Sequence, residues 1–87
     1  MADWFVYILR CADGTLYTGI TTDPVRREQE HNSDKKGARY TRSRRPVTLV
    51  YSESAANRSE ASMREHAIKQ LPLSAKVQLL SRSLTNN

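Results

Sequence analysis

The longest apolar run in the chain, Trp4-Phe5-Val6-Tyr7-Ile8-Leu9, is rich in aromatic and β-branched residues and predicts a buried strand. Ala12-Asp13-Gly14-Thr15 reads as a turn, and Leu16-Tyr17-Thr18-Gly19-Ile20-Thr21 as the strand that returns from it. Asp23-Pro24 marks a helix start, with the carboxylate as cap and proline at the first helical position, and that helix is expected to run to about Asn32. Residues 33–46 are polar and basic, closed by Pro46: a loop with room for one turn of structure. Val47-Thr48-Leu49-Val50-Tyr51 predicts a third strand. Asn57 with Glu60 three residues on forms a capping box for a second helix ending near Leu71-Pro72. Ser74 is expected to cap a last amphipathic helix, with Val77, Leu80 and Leu84 on one side and a frayed tail over residues 85–87. The order β-β-α-β-α-α predicts an α+β fold: a three-stranded antiparallel sheet flanked by helices, as one domain over residues 1–84.

Two hairpin geometries fit Asp13-Gly14. A two-residue loop pairs Ala12 with Thr15 and sends Tyr7 and Tyr17 to opposite faces. A three-residue loop pairs Cys11 with Thr15, sets Gly19 opposite Tyr7, and puts both tyrosines on one face as diagonal neighbours, with an open notch at Gly19. Both registers are open at this level.

The first predicted helix has almost no apolar stripe; Val25 is its one clear hydrophobe, and Arg27 and His31 stack one turn apart. Either it packs weakly or its inner face is polar because it borders a site. On the second helix Ala61, Met63, Ala67, Ile68 and Leu71 fall on one side, with Glu65 at its edge, half-desolvated and well placed to hold a cation. Arg64 also falls within that arc, and His66 points away from it.

Composition narrows the classes. Eighty-seven residues bury only roughly 60–65% of the unfolded surface, so a substrate has to lie across the surface rather than inside a large cavity. The net charge of +5 suits a polyanionic partner. A single cysteine, Cys11, excludes an intramolecular disulfide and a thiolate zinc site. The apolar run is too short to span a bilayer, and no export signal is recognisable, so a cytoplasmic location is expected.

Phe5-Val6-Tyr7, followed ten residues later by the tyrosine of Tyr17-Thr18-Gly19, resembles the two signature segments of the GIY-YIG nucleases. An arginine ten residues after the second tyrosine, a histidine one turn on and a glutamate on a later helix complete the pattern, on Arg27, His31 and Glu65. The stretch from Leu16 to Asp23, Arg26-Arg27, His31-Asn32 and Ile68-Lys69-Gln70-Leu71 look like the small stand-alone bacterial members. Phe5 and Thr18 depart from the signatures at positions the chemistry does not use, and Ile20 stands where some relatives place a lysine.

The resemblance implies a metal-dependent phosphodiesterase with Tyr7, Tyr17, Arg27, His31 and Glu65 as its catalytic set. Tyr7 is the preferred general base acting on water and Tyr17 the orienting phenol, with the two roles exchangeable. A phenol of reference pKa near 10 is only about 0.1–1% ionised at neutral pH, and positive charge from Arg27 or a metal is expected to raise that fraction. His31 is expected to accept the tyrosine proton, since imidazole ordinarily titrates near neutrality. Arg27 is expected to clamp a nonbridging oxygen, and Glu65 to be the sole protein ligand of one Mg²⁺ or Mn²⁺.

Lys35, Lys36, Arg39, Arg42, Arg44 and Arg45 hold six of the fourteen cations, with Tyr40 among them. Beside such a site they are expected to grip nucleic acid, DNA rather than RNA, through its phosphates and therefore by structure rather than by sequence. The alternative is a catalytically silent nucleic-acid-binding module of the same fold.

Overall fold

The computed structural model describes residues 3–33 and 38–85. Strands β1 (Trp4–Arg10), β2 (Leu16–Thr21) and β3 (Thr48–Ala55) form an antiparallel sheet in the order β2-β1-β3. Helix α1 (Pro24–His31) packs on one face, and α3 (Arg58–Lys69) and α4 (Leu73–Thr85) on the other. A single turn of helix, α2 (Arg39–Arg42), occupies the basic segment. The central strand is covered on both sides, which explains why its sequence is a continuous apolar run rather than an alternation. Val6 and Ile8 join Ala61 and Ile68 in one core, while Tyr7, Leu9 and Cys11 join Val47 in the other.

The third strand is longer than its apolar residues predict. Ser52, Glu53 and Ser54 are poor strand formers, yet they pair with Tyr7, Val6 and Phe5, because a central strand supplies partners whatever the local propensity. Leu9 pairs with Leu49 and Ile8 with Tyr51, leaving Val50 as a bulge. That extra residue lets Val50 and Tyr51 both pack on the α3 and α4 side, while Leu49 faces the other core.

Two predicted helix faces are rotated. On α3 the inward row is Ala61, Glu65 and Ile68, and Met63 is 68% exposed. Apolar residues scattered around this helix phase it weakly. Arg64 is accounted for by Glu53, whose Oε2 accepts from its Nε at 2.8 Å while Oε1 accepts from the Tyr51 hydroxyl. On α4 the amide groups of Ala75 and Lys76 bond to the Pro72 carbonyl at 3.0 and 3.1 Å, so the helix starts two residues earlier than predicted and Ser74 is not its cap. Leu79 and Leu80 pack inward and Val77 is exposed; the Leu84 side chain and residues 86–87 lie outside the described residues, whereas Thr85 is helical. Among the described residues no helix is long and apolar enough to cross a membrane.

Helix α1 begins as its sequence indicates, with Asp23 accepting from the Arg26 amide at 3.1 Å and Pro24 in the first turn. Its attachment is polar. Glu28 Oε2 accepts from the Leu49 amide at 2.6 Å, and Asn32 pairs with Val47 at both ends, accepting from its N–H at 2.8 Å and donating to its C=O at 3.0 Å. Arg45 donates from Nε to the His31 carbonyl at 2.8 Å and from Nη2 to the Ser33 carbonyl. Side chains thus do for the start of β3 what a fourth strand would do.

Asn32→Ala removes both partners of Val47. Urea unfolding is expected to show a loss of about 1–2 kcal/mol at unchanged m-value. A loss below about 0.3 kcal/mol contradicts the docking role given to this pair.

Candidate catalytic site

The hairpin adopts the three-residue loop. The Cys11 amide donates to the Thr15 carbonyl at 2.8 Å, the Gly14 amide to the Cys11 carbonyl at 2.9 Å, and Gly14 takes φ of 86°, a conformation that favours glycine. Asp13 Oδ1 accepts from the Thr15 amide at 3.1 Å and the Thr15 hydroxyl at 2.6 Å, bracing the turn. Tyr7 therefore lies opposite Gly19 and Leu9 opposite Tyr17. The two phenol rings share a face, with centroids 6.5 Å apart. The notch at Gly19 is not open: the Tyr7 ring fills it, and a Cβ there would stand 2.5 Å from the Tyr7 hydroxyl oxygen.

At the C-terminal end of α1, His31 is 0% exposed, and its Nε2 lies 2.8 Å from the Tyr7 hydroxyl. The Tyr17 ring meets the imidazole edge-on at 5.1 Å. Arg27, one turn earlier, is half-buried, close enough for its charge to act on the Tyr7 hydroxyl, and ion-paired with Glu30 at 2.9 Å. Glu65 approaches from α3; its side chain is 23% exposed, pairs with Lys69 at 3.1 Å, and is close enough for its charge to act on the Tyr7 hydroxyl. Tyr7, Tyr17, Arg27 and His31 thus form one cluster within mutual reach, with Glu65 beside it. The polar inner face of α1 is the border of this cluster.

Burial decides the electrostatics, against two expectations from sequence. The Tyr7 hydroxyl is pushed up to about 12, by burial first and then by Tyr17, although the hydrogen bond and charge of Arg27 pull it down. His31 is pushed down to about 4, by burial first and then by the Arg27 charge, with Glu30 opposing weakly. In the free protein both groups are neutral around pH 7. A cation beside a phenol helps it ionise only where solvent loss does not cost more, and Tyr7 is 1% exposed.

The basic segment divides into two kinds of residue. Arg44 donates from Nε to Asp13 Oδ2 at 3.0 Å and from Nη1 to the Tyr40 carbonyl at 2.9 Å, and lies 4.0 Å over the Tyr40 ring. Tyr40 in turn stacks on Tyr17 at 5.8 Å. Arg44 therefore staples the segment to the hairpin, as Arg45 staples it to α1. Arg39 and Arg42 are exposed on α2, Tyr40 is exposed at the rim of the cluster, and Lys35 and Lys36 lie outside the described residues.

Sequence reasoning missed Thr41, fully buried with its hydroxyl 2.9 Å from His31 Nδ1, and Glu30, which holds Arg27. Glu30 was detectable as the i+3 partner of Arg27; Thr41, between Tyr40 and Arg42, carries no local signal. Among the described residues, no three His, Cys, Asp or Glu side chains gather as a cage for a metal. A cation held here would have Glu65 as its carboxylate and would complete its shell with oxygens from outside the protein, a donor set that would suit Mg²⁺ or Mn²⁺.

Comparison with known proteins places the chain in a family. The family model described as the GIY-YIG catalytic domain matches residues 3–78. A UPF0213 protein of Desulfotalea psychrophila is 68% identical over 92% of this chain and 73% of its own length, and one of Syntrophus aciditrophicus is 48% identical over 95% of each. The solution structure of a UPF0213 protein from Bacillus halodurans superposes with a TM-score of 0.57 at 46% identity, covering 90% of this chain and 82% of that one. A solution structure from E. faecalis gives 0.61 at 40% identity, covering 98% and 93%.

The depressed value of His31 has a measurable sign. Its folded pKa lies below the unfolded reference of 6.5, so the unfolded chain binds the extra proton first. The associated stability is present above about pH 6.5 and is lost as pH falls towards 4. An NMR titration is expected to show the His31 ring staying neutral to below pH 5. A His31 midpoint at or above 6 contradicts the buried, neutral assignment.

Proposed function

The chain belongs to the GIY-YIG catalytic-domain family, a nuclease-type family, and from this we propose that it hydrolyses phosphodiester bonds in DNA with one divalent metal ion, selecting by structure rather than sequence. The observation that carries the reading is the Tyr7 hydroxyl, hydrogen-bonded to the buried His31 imidazole with the Arg27 guanidinium close enough for its charge to act on it. That is the environment of a proton-relaying group beside a polyanion.

Tyr7 is the base because it is the phenol with His31 Nε2 at 2.8 Å. Burial raises the Tyr7 hydroxyl and depresses the His31 imidazole, so in the free protein the proton stays on Tyr7 and no standing phenolate exists before substrate binds. The transfer therefore accompanies attack. An O–H bond of water breaks and its proton goes to the Tyr7 oxygen as the Tyr7 proton passes to Nε2. The water oxygen bonds to phosphorus, the P–O3′ bond breaks with its electron pair on O3′, and O3′ takes a proton from solvent. His31 then releases its proton to solvent, which its depressed pKa favours.

Arg27 uses five donors in a fixed fork, enough to hold Glu30, Tyr7 and a nonbridging phosphate oxygen together. Tyr17, half-buried against His31, orients the phosphate or the water. Glu65 would hold the metal, which when bound would offset the negative charge developing on the phosphate oxygens. Arg39 and Arg42 on α2 grip the neighbouring phosphates.

The Lys69–Glu65 ion pair favours a second reading, a silent binding module, because an ammonium already neutralises the carboxylate meant for the metal. The discriminating experiment incubates the protein with labelled single-stranded, duplex and branched DNA under Mg²⁺, Mn²⁺ or chelator. Nuclease action is expected to need metal and to vanish in Glu65→Ala, with Arg27→Ala lowering turnover at least about 100-fold at nearly unchanged binding. Binding without cutting under every metal supports the silent module. Equal loss of binding and turnover in Arg27→Ala removes its transition-state role.

The grip has its own measurement. Arg39→Ala with Arg42→Ala is expected to weaken DNA binding and to flatten the log affinity against log salt slope by about 1.8, or about 0.9 per duplex phosphate contact. An unchanged slope removes α2 from the interface.

A further inference from the structure

Thr41 is the one fully buried side chain among the described residues of the basic segment, in a helical turn whose neighbours Arg39, Tyr40 and Arg42 are exposed. Its hydroxyl makes two contacts of equal length: 2.9 Å to the Ala38 carbonyl, to which it donates, and 2.9 Å to His31 Nδ1. A threonine hydroxyl has a single proton. If that proton goes to the carbonyl, the oxygen faces Nδ1 as an acceptor, and Nδ1 must carry hydrogen.

The opposite side of the ring points the same way. The positive charge of Arg27 acts on the Tyr7 oxygen, which favours turning the oxygen lone pairs to Arg27 and the hydroxyl hydrogen to Nε2. The groups then fall into one head-to-tail series running from Tyr7 O–H through the imidazole and Thr41 O–H to the Ala38 carbonyl. Such a series strengthens each of its members. The competing arrangement protonates Nε2 and leaves Nδ1 as an acceptor, where the Ala38 amide and the Thr41 hydroxyl would share one lone pair. The Ala38 amide is directed at Nδ1, but at 3.3 Å it is longer than either Thr41 contact and the weaker claim on that nitrogen.

We propose that Thr41 is a positioning residue: its hydroxyl holds His31 in the Nδ1-protonated tautomer and so keeps the Nε2 lone pair turned to the Tyr7 hydroxyl hydrogen. The tautomer assignment stands on the contacts alone; its catalytic meaning rests on the nuclease reading above. Without Thr41 the Ala38 amide becomes the nearest partner of Nδ1, the ring proton moves to Nε2, and the imidazole can no longer take a proton from Tyr7. The turn that presents Arg39 and Arg42 to solvent thus also sets the protonation pattern of the ring behind it.

The test reads the ring directly. Nitrogen-15 shifts of the His31 imidazole, with exposed His66 as internal reference, separate the two tautomers in the substrate-free protein. The wild type is expected to show a protonated Nδ1 and a lone pair on Nε2. Thr41→Val, which keeps the shape and removes the hydroxyl, is expected to populate the Nε2-protonated form. It should also lower kcat at least about tenfold on labelled DNA with metal while KM changes less than about twofold. Thr41→Ser is expected to restore both the tautomer and kcat. A wild-type ring protonated on Nε2 overturns the proposal even if Thr41→Val does not fold, and so does a folded Thr41→Val with unchanged tautomer and kcat. A Nδ1-protonated ring in a protein that cuts nothing would sink the nuclease reading and leave the Thr41 assignment standing.

Discussion

A buried hydrogen bond between Tyr7 and His31 ties the central strand to the first helix, and the polar face of the molecule is organised around it. Both partners are almost without solvent contact, so each depends on the other: a buried polar group left unpaired costs about 1–3 kcal/mol. Gly19 makes the bond geometrically possible, because any side chain there would occupy the place of the phenol. Among the described residues no buried side-chain nitrogen or oxygen lacks a partner, so this polar interior is fully satisfied. A small domain with two thin cores gains definition from such a network, which specifies one arrangement where apolar contacts tolerate several.

The same logic explains how α1 is held. An amphipathic helix would bury an apolar stripe, but the side of α1 that meets the sheet carries Arg27, Glu28 and His31, and Val25 is exposed. Glu28, Asn32 and Arg45 replace hydrophobic packing with directional bonds to backbone groups. A helix fixed in this way can present charged groups to a phosphate without exposing the interior. The outer layer of α3 and α4 meanwhile supplies the conventional core, with Ile8, Val6 and Ile68 at its centre.

Positive charge is distributed by the same constraints. Arg44 and Arg45 belong to the architecture, bracing the hairpin turn and α1, while Arg39 and Arg42 remain exposed. A count of cations in the segment therefore overstates the surface offered to a polyanion. The Lys69–Glu65 pair is a further case in which a cation serves a neighbouring side chain, here the carboxylate assigned to the metal.

Local chemistry was readable wherever one residue's own preferences decide the outcome. The Asp23-Pro24 start, the Asn57 cap, the glycine in the hairpin turn and the doubly covered central strand follow from caps, dihedral preferences and apolar continuity. The spacing of Tyr7, Tyr17, Arg27, His31 and Glu65 marked out the candidate site, although it could not say which hairpin register was used. Tertiary contacts decided that register, the length and bulge of β3, the roll of α3 and the early start of α4. They also separated bracing arginines from exposed ones, brought Thr41 to His31, and drove the pKa values of Tyr7 and His31 away from each other. The physical reason is common to all of these. Pairing, burial and charge compensation depend on groups far apart in the chain, and no local pattern encodes what a distant segment will bring.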